Sequence, residues 1–248
     1  MKAVHEPASL PLFQGELWLA RLRRKIPASV RRFASGHVLT PSGRAPAAVH
    51  VVMTGLVSVA STSRAGRRAV LALVGAGGVL GQDSVLPLGR FPDAGALPDA
   101  GALPEAIGLP TVEARAVVAC TTLAFAARDL SEAAGRDPLI GLWLAASMSA
   151  RLQDLERALA RALSLPVKDR VLDLLLELAE RYGTPTPGGF RVEAFLSQDD
   201  IGAVVGATRE SVNRALHQLA ASGAVRRARF GYVVRPMALA QAGEPGVS

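Results

Sequence analysis

Cysteine is almost absent from this 248-residue chain: Cys120 stands alone. A single thiol excludes an internal disulfide and any cysteine-ligated iron–sulfur cluster. The four histidines (His5, His37, His50 and His217) show no ligand spacing, so no metal site is expected. No Ser/His/Asp or Cys/His arrangement stands out for nucleophilic catalysis. The glycine run 75–81 resembles a dinucleotide-binding turn only superficially, because Pro87 and Gly89 interrupt the helix that should follow. Long apolar runs are missing as well. Those near 69–80 and 116–127 fall short of the roughly 18–20 residues of a membrane span. The first residues, with Pro7 and Pro11, lack a basic-then-apolar signal pattern. The expectation is a soluble, cytoplasmic, non-enzymatic protein with no cofactor and no membrane partner.

Lysine is scarce too, being confined to Lys2, Lys25 and Lys168. The net charge of +7 and the pI near 10.6 therefore rest on arginine. Such a balance favours an anionic partner without choosing between nucleic acid and an anionic membrane. Half of the residues are hydrophobic, enough for two domains or one large one. One basic cluster, Arg21, Arg23, Arg24, Lys25, Arg31 and Arg32, reads as a solvated face.

The strongest local signal lies at 196–225, LSQDDIGAVVGATRESVNRALHQLAASGAV. Ser197 is placed to cap a helix, with Asp200 three residues on completing a capping-box pattern. Ile201, Val204 and Val205 form an apolar face, and Gly206 suits a left-handed turn. Thr208 can cap a second helix whose apolar stripe is Val212, Ala215, Leu216 and Leu219. Its other face carries Arg209, Glu210, Asn213, Arg214 and His217. This is a helix-turn-helix pattern, in which the first turns of the second helix enter the major groove. Arg209 and Arg214 are candidate readers of guanine, and Glu210 of a cytosine amino group. Ser197, Thr208, Ser211 and Asn213 suit backbone phosphates.

Residues 224–234 read as two short strands around a turn, placing Arg227 and Arg229 for phosphate contact. Between Ile201 and Met237, Arg209, Arg214, Arg226, Arg227, Arg229 and Arg235 face one acid, Glu210. That excess is an electrostatic footprint for nucleic acid, and double-stranded DNA is the expected partner.

Ile201-Gly202, Gly206 and Thr208-Arg209-Glu210-Ser211-Val212-Asn213-Arg214 resemble the winged helix-turn-helix of the Crp/Fnr (catabolite activator) family of bacterial regulators. The resemblance implies half-sites related to TGTGA and RNA polymerase as a candidate partner. It extends to about residues 15–240. Phe33-x-x-Gly36, Met53-x-Gly55-x-Val57, Gly66-Arg67-x-x-Val70-Leu71 and Gly78-x-x-Gly81 follow the family's cyclic-nucleotide-binding-like sensor domain. The short β-rich runs between these glycines, clearest at 49–53, 56–60 and 69–74, suit an antiparallel β-roll. Cys120 is expected as a small apolar side chain on a strand at 116–120.

Residues 92–105 break the family pattern, because PDAGAL occurs twice with a degenerate third copy. Proline in each copy excludes a helix or regular strand, so a flexible surface insertion is expected. A long helix is expected at 137–164. Ala145, Met148, Leu152, Leu155 and Leu159 alternate spacings of three and four, which is a coiled-coil seam and points to a parallel homodimer. The resulting fold class is α+β: a β-roll sensor-like domain with an N-terminal helix (1–135), a dimerisation helix (136–164) and a winged helix-turn-helix domain (165–248).

In relatives that bind cyclic AMP, a Gly-Glu-Leu run and a downstream Arg-Ser pair hold the ribose and cyclic phosphate. Here Gly81 keeps the glycine, but Gln82 replaces the glutamate and Thr111-Val112 replaces the Arg-Ser pair. A buried phosphate needs a cation or several N–H donors. Gly81, Gln82, Thr111 and Val112 therefore mark a candidate effector pocket not built for cyclic AMP; the alternative is an effector-dependent regulator that binds a cyclic nucleotide or another small ligand in the β-roll.

Overall fold

The computed structural model describes residues 16–42, 47–63, 66–85, 112–193, 196–229 and 231–235. The PDAGAL repeat and Thr111 lie outside them. The chain divides into two compact units, Met1–Leu155 and Glu156–Ser248.

The first unit begins with α1 (Glu16–Lys25), followed by β1 (Ala28–Phe33), β2 (Val38–Thr40), β3 (Ala48–Thr54), β4 (Val57–Thr62), β5 (Arg68–Val74) and β6 (Val79–Leu80). A 3-10 turn at Gln82–Ser84 follows, then β7 (Val112–Ala116), β8 (Cys120–Ala126), α2 (Ala127–Arg136) and the long α3 (Pro138–Ser164). Two four-stranded antiparallel sheets form, in the orders β1-β8-β3-β6 and β2-β7-β4-β5. This is the β-roll that the sequence pattern suggests.

Alternation along the strands builds two cores. Val52, Leu80 and Cys120 from one sheet meet Val57, Val59, Ala114 and Ala116 from the other. The opposite face of the first sheet carries Val49, Val51, Leu123 and Phe125. Against it pack Trp18, Leu22 and Ile26 of the α1 segment, Leu130 of α2, and Ile140, Trp143 and Leu144 of α3. Burying each such large side chain stabilises the fold by about 1.5–3 kcal/mol. Asp137 Oδ1 accepts from the Leu139 backbone N–H at 3.1 Å, and Pro138 occupies the first position of α3. Hydrogen bonding from Lys25 first, and from Leu139 N–H and Arg21 after it, holds the Asp137 carboxyl below its ordinary range against the opposing desolvation.

One strand differs from the sequence reading. Cys120 does not end a strand at 116–120; β7 stops at Ala116 and β8 begins at Cys120. The two strands belong to different sheets, so the chain must turn a corner between them. Leu56 O fixes that corner by accepting from Val117 N–H at 2.8 Å and Val118 N–H at 3.4 Å.

The second unit contains the end of α3, then α4 (Val167–Tyr182), β9 (Thr184–Thr186), β10 (Gly189–Glu193), α5 (Gln198–Val205), α6 (Arg209–Ala221), β11 (Val225–Ala228) and β12 (Gly231–Val234). Its four strands pair in the order β11-β12-β10-β9. α4 buries Val171, Leu172, Leu174, Leu175, Leu176, Leu178 and Ala179. Its continuous apolar face gives α5, α6 and the sheet a common surface to pack on.

Candidate nucleic-acid interface

The interface is built from the caps outward. Ser197 Oγ accepts from Asp200 N–H at 3.1 Å, and Asp200 Oδ2 accepts from Ser197 N–H at 3.1 Å. Both halves of the capping box are thus made, and α5 starts where the sequence places it. α5 ends at Gly206, whose φ of 67° and ψ of 44° are left-handed. Thr208 then caps α6, its Oγ1 accepting from Ser211 N–H at 3.3 Å.

α6 is anchored by Val212, Ala215, Leu216 and Leu219, all buried. The reverse face leaves Arg209, Glu210, Asn213, Arg214 and His217 exposed to solvent. Glu210 and Arg214 have no ion-pair partner among the described residues. Arg209 Nη1 lies 3.4 Å from Asp199 Oδ2 on α5, and Asn213 Nδ2 donates to Gln198 Oε1 at 3.4 Å. Neither cross-helix contact was visible as a sequence motif. Beyond α6, Arg227 pairs in register with Tyr232 and Ala228 with Gly231, making a short hairpin. Arg226, Arg227 and Arg229 are exposed on it.

The sensor-like unit places its candidate pocket residues differently. Gly81 is left-handed at φ 77°, and Gln82 is only 5% exposed. Val112 packs into the inter-sheet core that also holds Leu80, so the two candidate segments share one interior; Thr111 lies outside the described residues. The nearest downstream arginine is already engaged. Arg115 Nε donates to Glu113 Oε1 at 2.9 Å and Nη1 to Gly36 O at 2.8 Å. Among the described residues, no group of three or more His, Cys, Asp or Glu is placed to hold a metal.

Along α3, the seam residues Leu152 and Leu159 are 57% and 60% exposed. Ala145 is also exposed, while Met148 and Leu155 are partly covered. No helix among the described residues is long and apolar enough to cross a membrane.

A capped helix-turn-helix with a basic β-hairpin after it is a winged-helix DNA-binding domain. Residues 169–242 match the family described as the Crp-like helix-turn-helix domain. The CRP-like cAMP-activated global transcriptional regulator of Mycobacterium tuberculosis is 29% identical over 194 residues, 78% of this chain and 78% of the relative. The cyclic AMP receptor protein of Thermus thermophilus is 27% identical over 235 residues, covering 92% and 94%. The c-di-GMP responsive global regulator CLP of Xanthomonas campestris shares the fold at a TM-score of 0.67. Its identity is 21%, over 88% of this chain and 97% of that one. FixK2 of Bradyrhizobium japonicum also gives 0.67, with 22% identity over 89% and 99%. Residues 169–242 thus carry a Crp-like helix-turn-helix domain, and over most of its length the chain is similar to transcription regulators of the Crp/Fnr family.

Proposed function

We propose that this regulator binds palindromic operators with TGTGA-like half-sites as a homodimer, and that its sensor domain does not respond to cyclic AMP. The single observation that carries DNA reading is the joint exposure of Arg209, Glu210 and Arg214 on the solvent face of α6. Arg209 and Arg214 read guanines through O6 and N7, and Glu210 accepts from a cytosine amino group. Ser197, Thr208, Ser211, Asn213, Arg227 and Arg229 hold the phosphate backbone and set the register. Ser197 and Thr208 contribute through the helix starts they cap, whose backbone N–H groups point at a bound anion.

Dimerisation rests on the apolar seam of α3, with Ala145, Met148, Leu152, Leu155 and Leu159 facing the same residues of a second copy. Residues 136–164 are then the dimer helix, flanked by sensor-like (1–135) and DNA-binding (165–248) domains. Two-fold symmetry presents two copies of α6 to major grooves about 34–36 Å apart. RNA polymerase is the further partner of a regulator acting in the cytoplasm.

Two features weigh against cyclic AMP. Gln82 lacks the charge of the glutamate in cyclic-AMP-binding relatives, and Arg115 is tied to Glu113 and Gly36 O. A second reading, an effector other than cyclic AMP held in the β-roll, is favoured by Gln82 itself. Its polar side chain is buried next to the left-handed Gly81 in the β-roll. Fluorescence anisotropy on a duplex with two inverted TGTGA half-sites, against a scrambled duplex at fixed salt, tests the proposal. Selective binding that ignores cyclic AMP is expected. Selectivity only with cyclic AMP overturns the reading of Gln82 and Thr111, and equal weak binding to both duplexes overturns the operator.

A further inference from the structure

The first turn of α5 reaches across to the exposed face of α6 twice. Asp199 Oδ2 lies 3.4 Å from Arg209 Nη1, and Gln198 Oε1 accepts from Asn213 Nδ2 at 3.4 Å. Arg209 and Asn213 are four apart on one helix, so both contacts fall along one side of the same face. Asp199 is the unusual member. A carboxylate beside the DNA-facing end of a recognition helix repels phosphates, which makes it costly unless it serves a neighbouring cation. The cation within its reach is Arg209.

We propose that Asp199 is a specificity-determining positioning residue that holds the Arg209 guanidinium by one arm; this rests on the base-reading role of Arg209 above. A guanidinium carries five N–H donors in a rigid fork. With Nη1 engaged by Asp199, Nη2 and Nε remain on an adjacent edge, the bidentate geometry that guanine O6 and N7 require. In the free chain both partners are largely exposed, and such a pair adds little to stability. Docking on DNA removes water from the pair and strengthens it, so that Asp199 helps to hold the Arg209 rotamer that faces the base. Asp199 thus acts on the choice of base and leaves the fold as it is.

Selection from a random duplex pool with the full-length wild-type protein first defines the preferred operator. Asp199→Ala, Asp199→Asn and Asp199→Glu are then measured on that operator and on its single-base variants over a range of salt. Asp199→Ala is expected to lose about three- to tenfold in discrimination at the one base pair whose preference Arg209→Ala also removes. Asp199→Glu should retain more of that discrimination than Asp199→Asn. In an Arg209→Ala background, Asp199→Ala should change nothing there. Uniformly tighter binding to every duplex, with a steeper salt dependence, overturns the proposal, because Asp199 would then be only a repelling charge. If the wild type selects no sequence at all, base reading by Arg209 fails and this proposal falls with it. Selection by the wild type without a localised effect of Asp199 overturns this proposal alone.

Discussion

Gly202 and Ala207 meet across the turn between α5 and α6, where a β-carbon on Gly202 would stand 2.6 Å from the Ala207 carbonyl oxygen. Ala207 N–H in turn donates to Gly202 O at 2.9 Å. The two helices therefore leave the turn at a separation that only a residue without a side chain permits. That separation sets how far α6 projects from the domain, and so how its exposed face meets a groove.

Replacing Gly202 by alanine should cost about 1–3 kcal/mol, because a backbone carbonyl must move. Gly206→Ala is a different strain. The nearest atom to its added β-carbon is Arg170 Nη1 at 3.7 Å, so only the left-handed backbone cost of about 1–2 kcal/mol applies. Hydrogen exchange of the α5 and α6 amides should show both variants opening more readily. Gly202→Ala should lose more DNA affinity than its stability change explains, since it also shifts α6. Unchanged exchange and unchanged affinity in Gly202→Ala would show that the turn is not sterically closed.

The readable parts of this protein are those whose signals are local. Ser197, Asp200, Gly206 and Thr208 each satisfy a helix end within a few residues, so the helix-turn-helix could be placed from sequence. Short β-rich runs between turn glycines marked β3, β4 and β5 for the same reason. The β7–β8 corner was missed because Val117 and Val118 are as apolar as a strand; only their hydrogen bonds to Leu56, far back in the chain, reveal the turn. Asp199 carries no local signal in the sequence, since its contact with Arg209 spans ten positions and crosses a turn. Pairing of β1 with β8 is equally non-local and left no periodic trace.

Base reading and backbone contact separate in their salt dependence. Arg209→Ala should lose roughly 1–3 kcal/mol on the preferred operator and relax specificity at one base pair. Arg229→Ala should weaken all sequences alike and lower the slope of log affinity against log salt by about one. Binding curves for both variants on matched and mismatched duplexes at several salt concentrations check this. Uniform loss in both variants would mean that Arg209 is a phosphate contact.

Leu152 and Leu159 present the largest exposed apolar area along the seam of α3. Burying both against a second copy gains about 25 cal/mol for each Å² removed from water, and a charge at either position reverses that gain. Leu152→Glu together with Leu159→Glu should therefore give a monomer by sedimentation and lose tight operator binding, while circular dichroism stays unchanged. A variant that still sediments as a dimer would place the dimer contact elsewhere on the chain.

His50 is one group whose burial links folding to pH. It lies on β3 with Nδ1 3.0 Å from Thr122 Oγ1 and its ring edge-on to Phe33. Desolvation, and then the Arg31 charge, lower its pKa from 6.5 to about 4. At neutral pH both folded and unfolded states hold it uncharged, so it adds no pH dependence there. As pH falls below about 6.5 the unfolded chain takes up a proton that the folded chain refuses. Stability should fall through that window and the loss should end near pH 4, where the folded state also protonates. The full effect is about 3 kcal/mol at 1.36 kcal/mol per pKa unit. His50→Gln, which keeps a polar group near Thr122 without a proton to bind, should flatten the curve between pH 6.5 and 4. Urea unfolding of the two proteins across that range measures the difference, and parallel curves would mean that His50 titrates alike in both states.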